Sequence, residues 1–576
     1  MKRSSAMLAI CAACAASGAH ATVHDKIFAG RFDTPADAPA TANDAARFLT
    51  QSTFGPTQGD IAYVMAQGVS EWLDEQLSKT PTLGEPTVEA VVTARTNNGQ
   101  GVSQTQRLNR WYWQAAYAPD QLRQRMAFAL SEIFVISDQA AGLNKFYVEM
   151  SDYQDMLARD AFGAYRTLLG DVTYHPMMGQ YLNAFHNVKG SATTSPDENY
   201  AREVMQLFSI GLIQRNQDFS PVLSAGNPVP TYDQNAITQT AKVFTGFTFA
   251  DAPTAPNPQF FGGGLTYAGR YAPMACWGLE LFGANDSHMK HDITQKAVVS
   301  SYVGGVSVPN TLPANQTCAQ DVQDELDILA THANTAPFIS RQLIQRFVTS
   351  NPSAPYIQRV ANVFVASNGD LGDVLKAILT DTEARTPPAL AAGDFYGKLR
   401  EPLLRLTAMW RAFGALAPPA DQYGEIHMIG NGGLYNAFLQ SPLESPTVFN
   451  FFLPDYQAPG TFADHGRYAP ELQITNESTA YSSADAYYAF TANATQGPLT
   501  DRPQLVFSAF GANPTASGIV AAIDANMLYG TMSPTLKSSL TTMLTTLLAA
   551  TPPPSVEPEW SAIYVTMLSP DYAVQR

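Results

Sequence analysis

The feature that most constrains the fold is a stretch from Ser195 to Gly211 that carries helix signals at both ends. Ser195 is a favourable N-cap, Pro196 suits the first helical position, and Glu198 stands where the carboxylate of a capping box accepts. Gly211 supplies the left-handed residue that commonly closes a last turn. The apolar residues between these signals recur at helical spacing and predict one buried face: Tyr200, Val204, Leu207 and Phe208.

Charged and polar side chains crowd the same two turns. Glu198 lies four residues before Arg202, a spacing at which helical side chains touch. Asn199 and Glu203 have the same spacing. These residues indicate either a helix held by internal ion pairs or a polar cluster at the floor of a cleft. We expect Glu203→Gln to cost more stability than Glu198→Gln, because a partner lost in mid-helix leaves a buried group unsatisfied.

Amphipathic helical patterns fill most of the remaining chain, and strand-type alternation is scarce. One of the clearest start signals is Thr57 followed by Asp60, the spacing of a capping box, which predicts a helix running on to Leu77. Residues 250–318 differ, since Pro, Gly and aromatic residues occur there without a period. The chain is therefore predicted to be mainly α, a large multi-helix globular domain in one body or two lobes. The expected parts are an N-terminal lobe (about 41–247), a loop-rich insertion with a short hairpin (about 248–320) and a C-terminal lobe (about 321–576).

The first 21 residues have the three parts of a secretory signal. Lys2 and Arg3 are followed by a short apolar run, and Ala19-His20-Ala21 forms a cleavage site before Thr22. The apolar run is too short to span a bilayer, which needs about 20 apolar residues. We therefore predict a cleaved signal peptide (1–21), a flexible leader (22–40) and an exported protein, periplasmic or extracellular.

The charge of the chain excludes some classes of binding partner, and its cysteines indicate a disulfide. The chain has 50 acidic and 34 basic residues, a net charge of −16, which argues against nucleic acid or an anionic membrane as partner. Cleavage would leave two cysteines, Cys276 and Cys318. They are either two buried thiols or one disulfide, and export favours the disulfide. We expect it to hold the segment around His291 against the helical body.

Familiar catalytic signatures are mostly missing. Residues 393–398 are one residue short of a phosphate-binding loop and follow no strand, so we discard them. The histidines form no spaced ligand pair on a helix, and the sequence identifies neither a cofactor nor a metal. A zinc site assembled from distant loops stays open, since ligands need not be close in sequence. A second polar cluster is His291-Asp292 followed by Lys296. Asp292 could orient the His291 imidazole, or the three charges could lie together by chance.

Several stretches together resemble one bacterial exported family, the domain of unknown function 1800 family. The most specific is Pro196-Asp197-Glu198-Asn199-Tyr200-Ala201-Arg202-Glu203. The other matching stretches are 46–49, 53–56, 125–131, 207–208, 211–212, 241–246, 291–292 with Lys296, 334–338, 341–344, 397–402 and 569–576. Residues 445–452 depart from the family pattern. The resemblance implies export and a helical fold and supplies no mechanism. Members are often encoded beside a second exported family, domain of unknown function 1501, which looks like a relative of alkaline phosphatases or sulfatases.

Two functions of different classes follow. The first is a non-catalytic partner or scaffold that works beside such a phosphatase- or sulfatase-like protein at the cell envelope. The second is a hydrolase whose candidate catalytic residues are Glu198, Arg202, Glu203, His291 and Asp292. The hydrolase requires these side chains to converge in one concave pocket.

Overall fold

The computed structural model describes residues 35–140, 142–303, 306–386, 395–430, 433–492, 500–512, 514–552, 554 and 556–576. The predicted signal peptide and most of the predicted leader lie outside the described residues. Within the described residues the protein is mainly α, as predicted: helices dominate, and each sheet has two strands. No described helix combines the length and the apolar character needed to cross a bilayer.

Within the described residues, nine helices precede the stretch that begins at Ser195. They are α1 (Ala42–Ser52), α2 (Gln58–Gln67), α3 (Val69–Ser78), α4 (Glu85–Asn97), α5 (Thr105–Tyr117), α6 (Gln121–Ser131), α7 (Tyr147–Asp160), α8 (Tyr165–Tyr174) and α9 (Pro176–Tyr181). The predicted capping box at α2 is present, with Thr57 and Asp60 bonded reciprocally. The predicted continuous helix to Leu77 is wrong, because Gly68 adopts a φ of +88° and ends α2 before α3 begins.

The middle of the chain is short helices and two-stranded ribbons. The helices are α10 (Asn199–Gln206), α11 (Gln234–Val243) and α12 (Tyr267–Tyr271). The strands are β1 (Leu223–Ser224), β2 (Asn227–Pro228), β3 (Phe247–Thr248), β4 (Ala275–Cys276), β5 (Lys296–Val303) and β6 (Val306–Leu312), paired antiparallel as β1–β2, β3–β4 and β5–β6. The β5–β6 pair is a hairpin in the segment where the sequence predicts one.

Regular helices return at Cys318. They are α13 (Cys318–Thr331), α14 (Thr335–Phe347), α15 (Ala354–Ala366), α16 (Leu371–Thr380), α17 (Thr382–Arg385), α18 (Pro402–Ala412), α19 (Tyr435–Phe438), α20 (Thr461–Asp464), α21 (Glu477–Ala492), α22 (Ala516–Ile523), α23 (Pro534–Ala549), α24 (Pro558–Leu568) and α25 (Pro570–Ala573). Two strands, β7 (Lys398–Leu399) and β8 (Val574–Gln575), pair antiparallel and bring the end of the chain to the start of α18. Gly397 permits this approach, because a Cβ there would lie 2.2 Å from the Gln575 carbonyl oxygen.

The buried apolar side chains form two large cores. The first includes Phe48, Phe134 and Phe347, and the second includes Trp111 and Trp410. Each core draws residues from both the early and the late helices. The division of the chain into two lobes and an insertion stays a prediction.

The predicted disulfide is present. Cys276 at the end of β4 and Cys318 at the start of α13 are bonded, with an Sγ–Sγ distance of 1.94 Å. Since Cys276 pairs with Phe247 across the β3–β4 ribbon, the bond attaches this ribbon to the first turn of α13.

We expect replacement of both Cys276 and Cys318 by Ser to lower the free energy of unfolding by about 3–4 kcal/mol, because the cross-link restricts the unfolded chain over the 42 residues that it spans. Urea unfolding under oxidising conditions measures the difference. A reducing agent should lower the melting temperature of the wild type and leave that of the variant unchanged. Equal stability of the two proteins under oxidising conditions would contradict the prediction.

Candidate functional site

The helix predicted to begin at Pro196, after the Ser195 cap, begins three residues later, at Asn199. The expected Ser195 cap is wrong: the Asp197 carboxylate accepts the Asn199 N–H at 2.8 Å, and no side chain caps the helix at Glu198. The reason is tertiary. The Asp197 N–H donates to the Asn187 side chain at 2.9 Å, and the Asn187 amide donates back to the Asp197 carbonyl at 3.2 Å. These bonds hold Asp197 against the loop that contains Asn187, so the residues before Asn199 stay outside the helix.

The expected stop at Gly211 is wrong, because α10 ends at Gln206 and Leu207 occupies its C-cap position. The left-handed conformation expected of Gly211 is present. Gly211 adopts a φ of +68°, and its N–H donates to the Met205 carbonyl at 3.0 Å. A Cβ at this position would also lie 2.8 Å from the Phe338 ring, so both the backbone conformation and the available space require glycine.

The polar side chains of α10 divide into an exposed group and a buried one. Glu198 contacts Arg202 at 3.3 Å, as predicted, and also accepts from Gln234 and from Thr238, each at 2.9 Å. It thereby joins α10 to α11 at the surface. Glu203 is buried, and its Oε2 atom has no hydrogen-bond partner. Burial raises the pKa of Glu203, and Arg202 opposes the shift.

His291 and Lys296 meet in the interior, but their shared partner is Asp321. His291 Nε2 lies 2.9 Å and Lys296 Nζ 2.6 Å from the same Asp321 oxygen, and all three side chains are fully buried. His291 Nδ1 lies 2.9 Å from the Thr245 carbonyl. Asp292, the expected orienting residue, instead accepts from the Thr294 N–H at 2.8 Å. It therefore shapes a local turn.

Sequence reasoning missed Asp321, although a signal was available. Asp321 lies one turn after Cys318, so the disulfide that fixes the first turn of α13 also fixes this carboxylate next to the His291 segment. Glu325 follows one turn later and is also fully buried. It accepts from Thr240 at 3.2 Å, while its Oε2 atom has no hydrogen-bond partner. Burial, together with the Asp321 charge, raises the pKa of Glu325 to about 8.

Two groups in the described residues have side chains close enough to share a metal ion. In the first, Cys276, Cys318 and His291 lie together, but the disulfide occupies both sulfurs, and metal binding requires thiolates. In the second, Asp421, Glu425 and His427 lie on one loop.

Donors of the protein already occupy Glu425 in that loop. Arg95 contacts Glu425 at 3.1 Å, and Asn109 donates to it at 2.8 Å. A metal ion at Glu425 would compete with these donors.

A buried histidine–carboxylate pair lies at the start of α9. His175 Nε2 lies 3.2 Å from Asp152, and its Nδ1 accepts the Met177 N–H at 3.2 Å. The second bond makes His175 the N-cap of α9. Both nitrogens are therefore engaged in holding two helices together.

A buried ion network lies where the two apolar cores meet. Its members are Arg125, Glu132, Arg346, Lys398, Glu401 and Glu471, each no more than 4% exposed. The Arg125 guanidinium lies over Phe128 of the second core, with 5.6 Å to the ring centroid, and over Phe347 of the first core, with 4.9 Å. Two stretches that carry the family resemblance, 125–131 and 397–402, supply three of the six members.

Contacts within the ion network are close. Lys398 Nζ lies 3.0 Å from Glu471 and 3.5 Å from Glu401. Arg346 lies 2.9 Å from Glu132, although at an angle that forms no hydrogen bond. Three cations thus face three carboxylates in the interior.

The two central carboxylates of the ion network differ in proton affinity. Burial, reinforced by the Glu401 charge, raises the pKa of Glu132. Burial also opposes ionisation of Glu401, but Lys398, Arg125 and Arg346 together hold its pKa below the ordinary range. Gln440 bridges the two, donating to Glu401 at 2.6 Å and to Glu132 at 3.3 Å. The arrangement can hold one proton on Glu132 while Glu401 stays charged.

The candidate residues therefore form separate groups with separate contacts. Glu198 and Arg202 pair at the surface, Glu203 lies in an apolar setting, and Asp292 caps a turn. His291 lies in a closed interior cluster. Among the described residues, the contacts given above do not bring these side chains together around one pocket.

We expect Glu198→Gln to destabilise the protein by about 1 kcal/mol, because a partly exposed charged acceptor of three contacts is lost. Glu203→Gln should change stability little or raise it at pH 7, since it removes a buried carboxylate with an unpartnered oxygen. This reverses the ranking expected from the sequence. Urea unfolding of both variants compares like substitutions on one helix, and a larger loss for Glu203→Gln would contradict the structure.

We expect Glu325 to make stability fall as pH rises. Below a pH of about 4.5 the Glu325 carboxyl is protonated in both the folded and the unfolded state. Between that pH and about 8 only the folded state keeps the proton. The free energy of unfolding therefore falls by up to about 1.4 kcal/mol per pH unit across this range. Glu325→Gln should flatten the curve of unfolding free energy against pH over this window. Glu477→Gln, at an exposed position, is the control. Parallel curves for the wild type and Glu325→Gln would contradict the assignment.

Comparison with known proteins agrees with the resemblance seen in the sequence. The sequence model of the family described as Protein of unknown function (DUF1800) matches residues 47–574. No curated protein and no solved structure matches the chain. Because the match spans nearly all of the sequence, the chain belongs to the DUF1800 family.

Proposed function

We propose that the protein is an exported, non-catalytic binding partner or scaffold that works beside a phosphatase- or sulfatase-like protein of the cell envelope. Export is supported by the signal-like first 21 residues and by the Cys276–Cys318 disulfide, a bond that persists in oxidising compartments. The binding function is carried by one observation, an exposed aromatic face on two packed helices.

The aromatic face consists of Tyr481 and Tyr488 on α21 with Tyr564 and Leu568 on α24, and beneath it lies Trp560, which is 5% exposed. Tyr481 is 79%, Tyr488 45% and Leu568 44% exposed. The residues of α24 are spaced by four and those of α21 by seven, so each set lies along one side of its helix. Exposed apolar surface of this kind marks interaction sites on soluble proteins.

Two rings of the aromatic face, Tyr488 and Tyr564, are held in place by each other and by Trp560. Trp560 and Tyr564 are stacked with centroids 5.7 Å apart, and Tyr488 meets both edge-on at 4.7 Å and 5.6 Å. Side chains that are ordered before binding lose little entropy when a partner arrives. Tyr and Trp are also the residues that most often dominate the energy of protein interfaces. The face therefore has the composition and the order of a protein-binding surface.

A hydrolase is the second candidate function, and its support is the opposite proton affinity of Glu132 and Glu401. Carboxylates whose pKa values are driven apart can divide acid and base roles. Both side chains are buried, at 3% and 0% exposed, so a substrate would reach them only after the two cores separate. The exposed aromatic face needs no such movement, and we favour binding.

We expect the double variant Tyr481→Ser, Tyr488→Ser to bind a purified DUF1501-family protein of the same genome at least tenfold more weakly than the wild type, as measured by calorimetry. Tenfold corresponds to about 1.4 kcal/mol, a modest loss for two interface tyrosines. Tyr63→Ser, at an exposed tyrosine of α2, is the control and should bind normally.

Two results would overturn the proposal. One is a wild-type protein that forms no complex, or a complex that the double variant forms equally well. The other is turnover of phosphate or sulfate esters by the isolated wild type that disappears in Glu401→Gln, which would establish the hydrolase.

A further inference from the structure

Arg341 is a buried cation with almost no partner. It lies in α14, 6% exposed, with its guanidinium between the Phe219 and Tyr468 rings at 4.7 Å and 4.9 Å. Its one hydrogen bond in the described residues goes to the Pro454 carbonyl at 3.5 Å, which is long for a hydrogen bond. No carboxylate of the described residues lies within 4.0 Å of its nitrogens.

Some buried cations of this chain have partners that compensate their charge, whereas Arg125 and Arg405 also lack a carboxylate contact among the described residues. Arg107 contacts Asp138 at 2.7 Å, and Lys296 contacts Asp321 at 2.6 Å. Arg123 has no carboxylate contact in the described residues, but donates to four backbone carbonyls. Removing a charge from water costs several kcal/mol unless partners replace the lost hydration. Arg341 has neither a carboxylate contact nor several carbonyl acceptors among the described residues, and a second arginine shares one of its aromatic rings.

A second arginine lies on the same phenylalanine. The Arg215 guanidinium is 4.3 Å from the Phe219 ring centroid and donates to the Phe219 carbonyl at 3.2 Å. Its backbone N–H donates to Asn334 at 2.8 Å, which fixes Arg215 beside the first turn of α14. Like Arg341, it has no carboxylate within 4.0 Å among the described residues.

The two positive charges disfavour each other. Burial lowers the pKa of Arg341, and Arg215 lowers it further, whereas Asp455 and Tyr468 oppose the shift. Asp455 is exposed and too distant to form an ion pair with either arginine. The cations therefore face one remote carboxylate in a protein with 50 acidic residues.

Phe219 keeps both arginines in position. Its φ is +67°, a left-handed conformation that is unusual for a bulky side chain. The bond from its N–H to the Asn216 carbonyl at 2.9 Å and that from the Asn216 N–H to the Ser220 carbonyl at 2.9 Å maintain this turn. The two guanidinium groups are thus arranged before any ligand arrives.

We propose that Arg341 and Arg215 form a binding site for an oxyanion group, a carboxylate, phosphate or sulfate. A planar guanidinium with free N–H groups binds such oxygens in pairs. An oxyanion would give both guanidinium groups a negatively charged partner and reduce the repulsion between Arg341 and Arg215. Neither the aromatic face nor the Glu132–Glu401 pair is part of this site, so the site stands whether or not the proposed function holds.

The test is the melting temperature of the full-length mature protein titrated with sodium acetate, phosphate or sulfate, each compared with sodium chloride at equal ionic strength. At least one oxyanion should stabilise the wild type more than chloride does, and the three salts distinguish the possible ligand groups. The apparent Kd should be at least tenfold weaker in Arg341→Gln. General salting effects are the same in both proteins and cancel in the comparison. Arg202→Gln, at a surface arginine, is the charge-matched control and should keep the wild-type response.

If Arg341→Gln fails to fold, two other variants carry the same expectation. One is Arg215→Gln, at a half-buried position. The other is Arg341→Lys, which keeps the charge but loses the paired donors. The proposal is overturned if no oxyanion exceeds chloride in the wild type. It is equally overturned if the folded variants respond to the oxyanion as the wild type does.

Discussion

The interaction that connects the two apolar cores is a buried ion network. Its members are Arg125, Glu132, Arg346, Lys398, Glu401 and Glu471. It joins residues that are far apart in the chain at the place where the two apolar cores meet. Ions at 4% exposure or less have given up most of their hydration, so each needs its partners in place. Removing one partner from a buried pair typically costs about 3–5 kcal/mol, because the other charge is left alone. The network therefore favours the one arrangement of helices that completes it.

This requirement extends to the end of the chain. Lys398 contributes to the network through its side chain and to the β7–β8 ribbon through its backbone, where it pairs with Gln575. The Arg400 N–H donates to the Ala573 carbonyl at 2.7 Å, and Gly397 allows the two backbones to approach. The last residues of the protein are in this way held against the segment that supplies two network members. The packing of the C-terminal residues and the ion pairs of the network therefore both involve Lys398.

The sequence predicts what nearby residues decide. The Thr57–Asp60 capping box involves atoms three residues apart, and the Cys276–Cys318 bond follows from elimination among few cysteines, so both are confirmed. The Ser195 cap fails because Asn187, a distant residue in an irregular loop, decides the backbone there. Asp321 was missed as the partner of His291 for the same reason: thirty residues separate them, and no periodic pattern connects a loop to the first turn of a later helix. The mainly α class was predictable, and the convergence of side chains was not.

Whether a buried charge serves the fold or a ligand depends on whether the fold completes its contacts. Lys398 has two carboxylates and the Arg346 carbonyl around its ammonium, so a ligand would have to displace partners that already replace water. Arg341 has two aromatic faces, which attract a cation more weakly than a carboxylate does, and one long hydrogen bond. The free energy that an oxyanion could recover is therefore larger at Arg341 than at Lys398. Arg341 and Arg215 also lie on one aromatic ring without a carboxylate contact among the described residues, so a single oxyanion could compensate both charges.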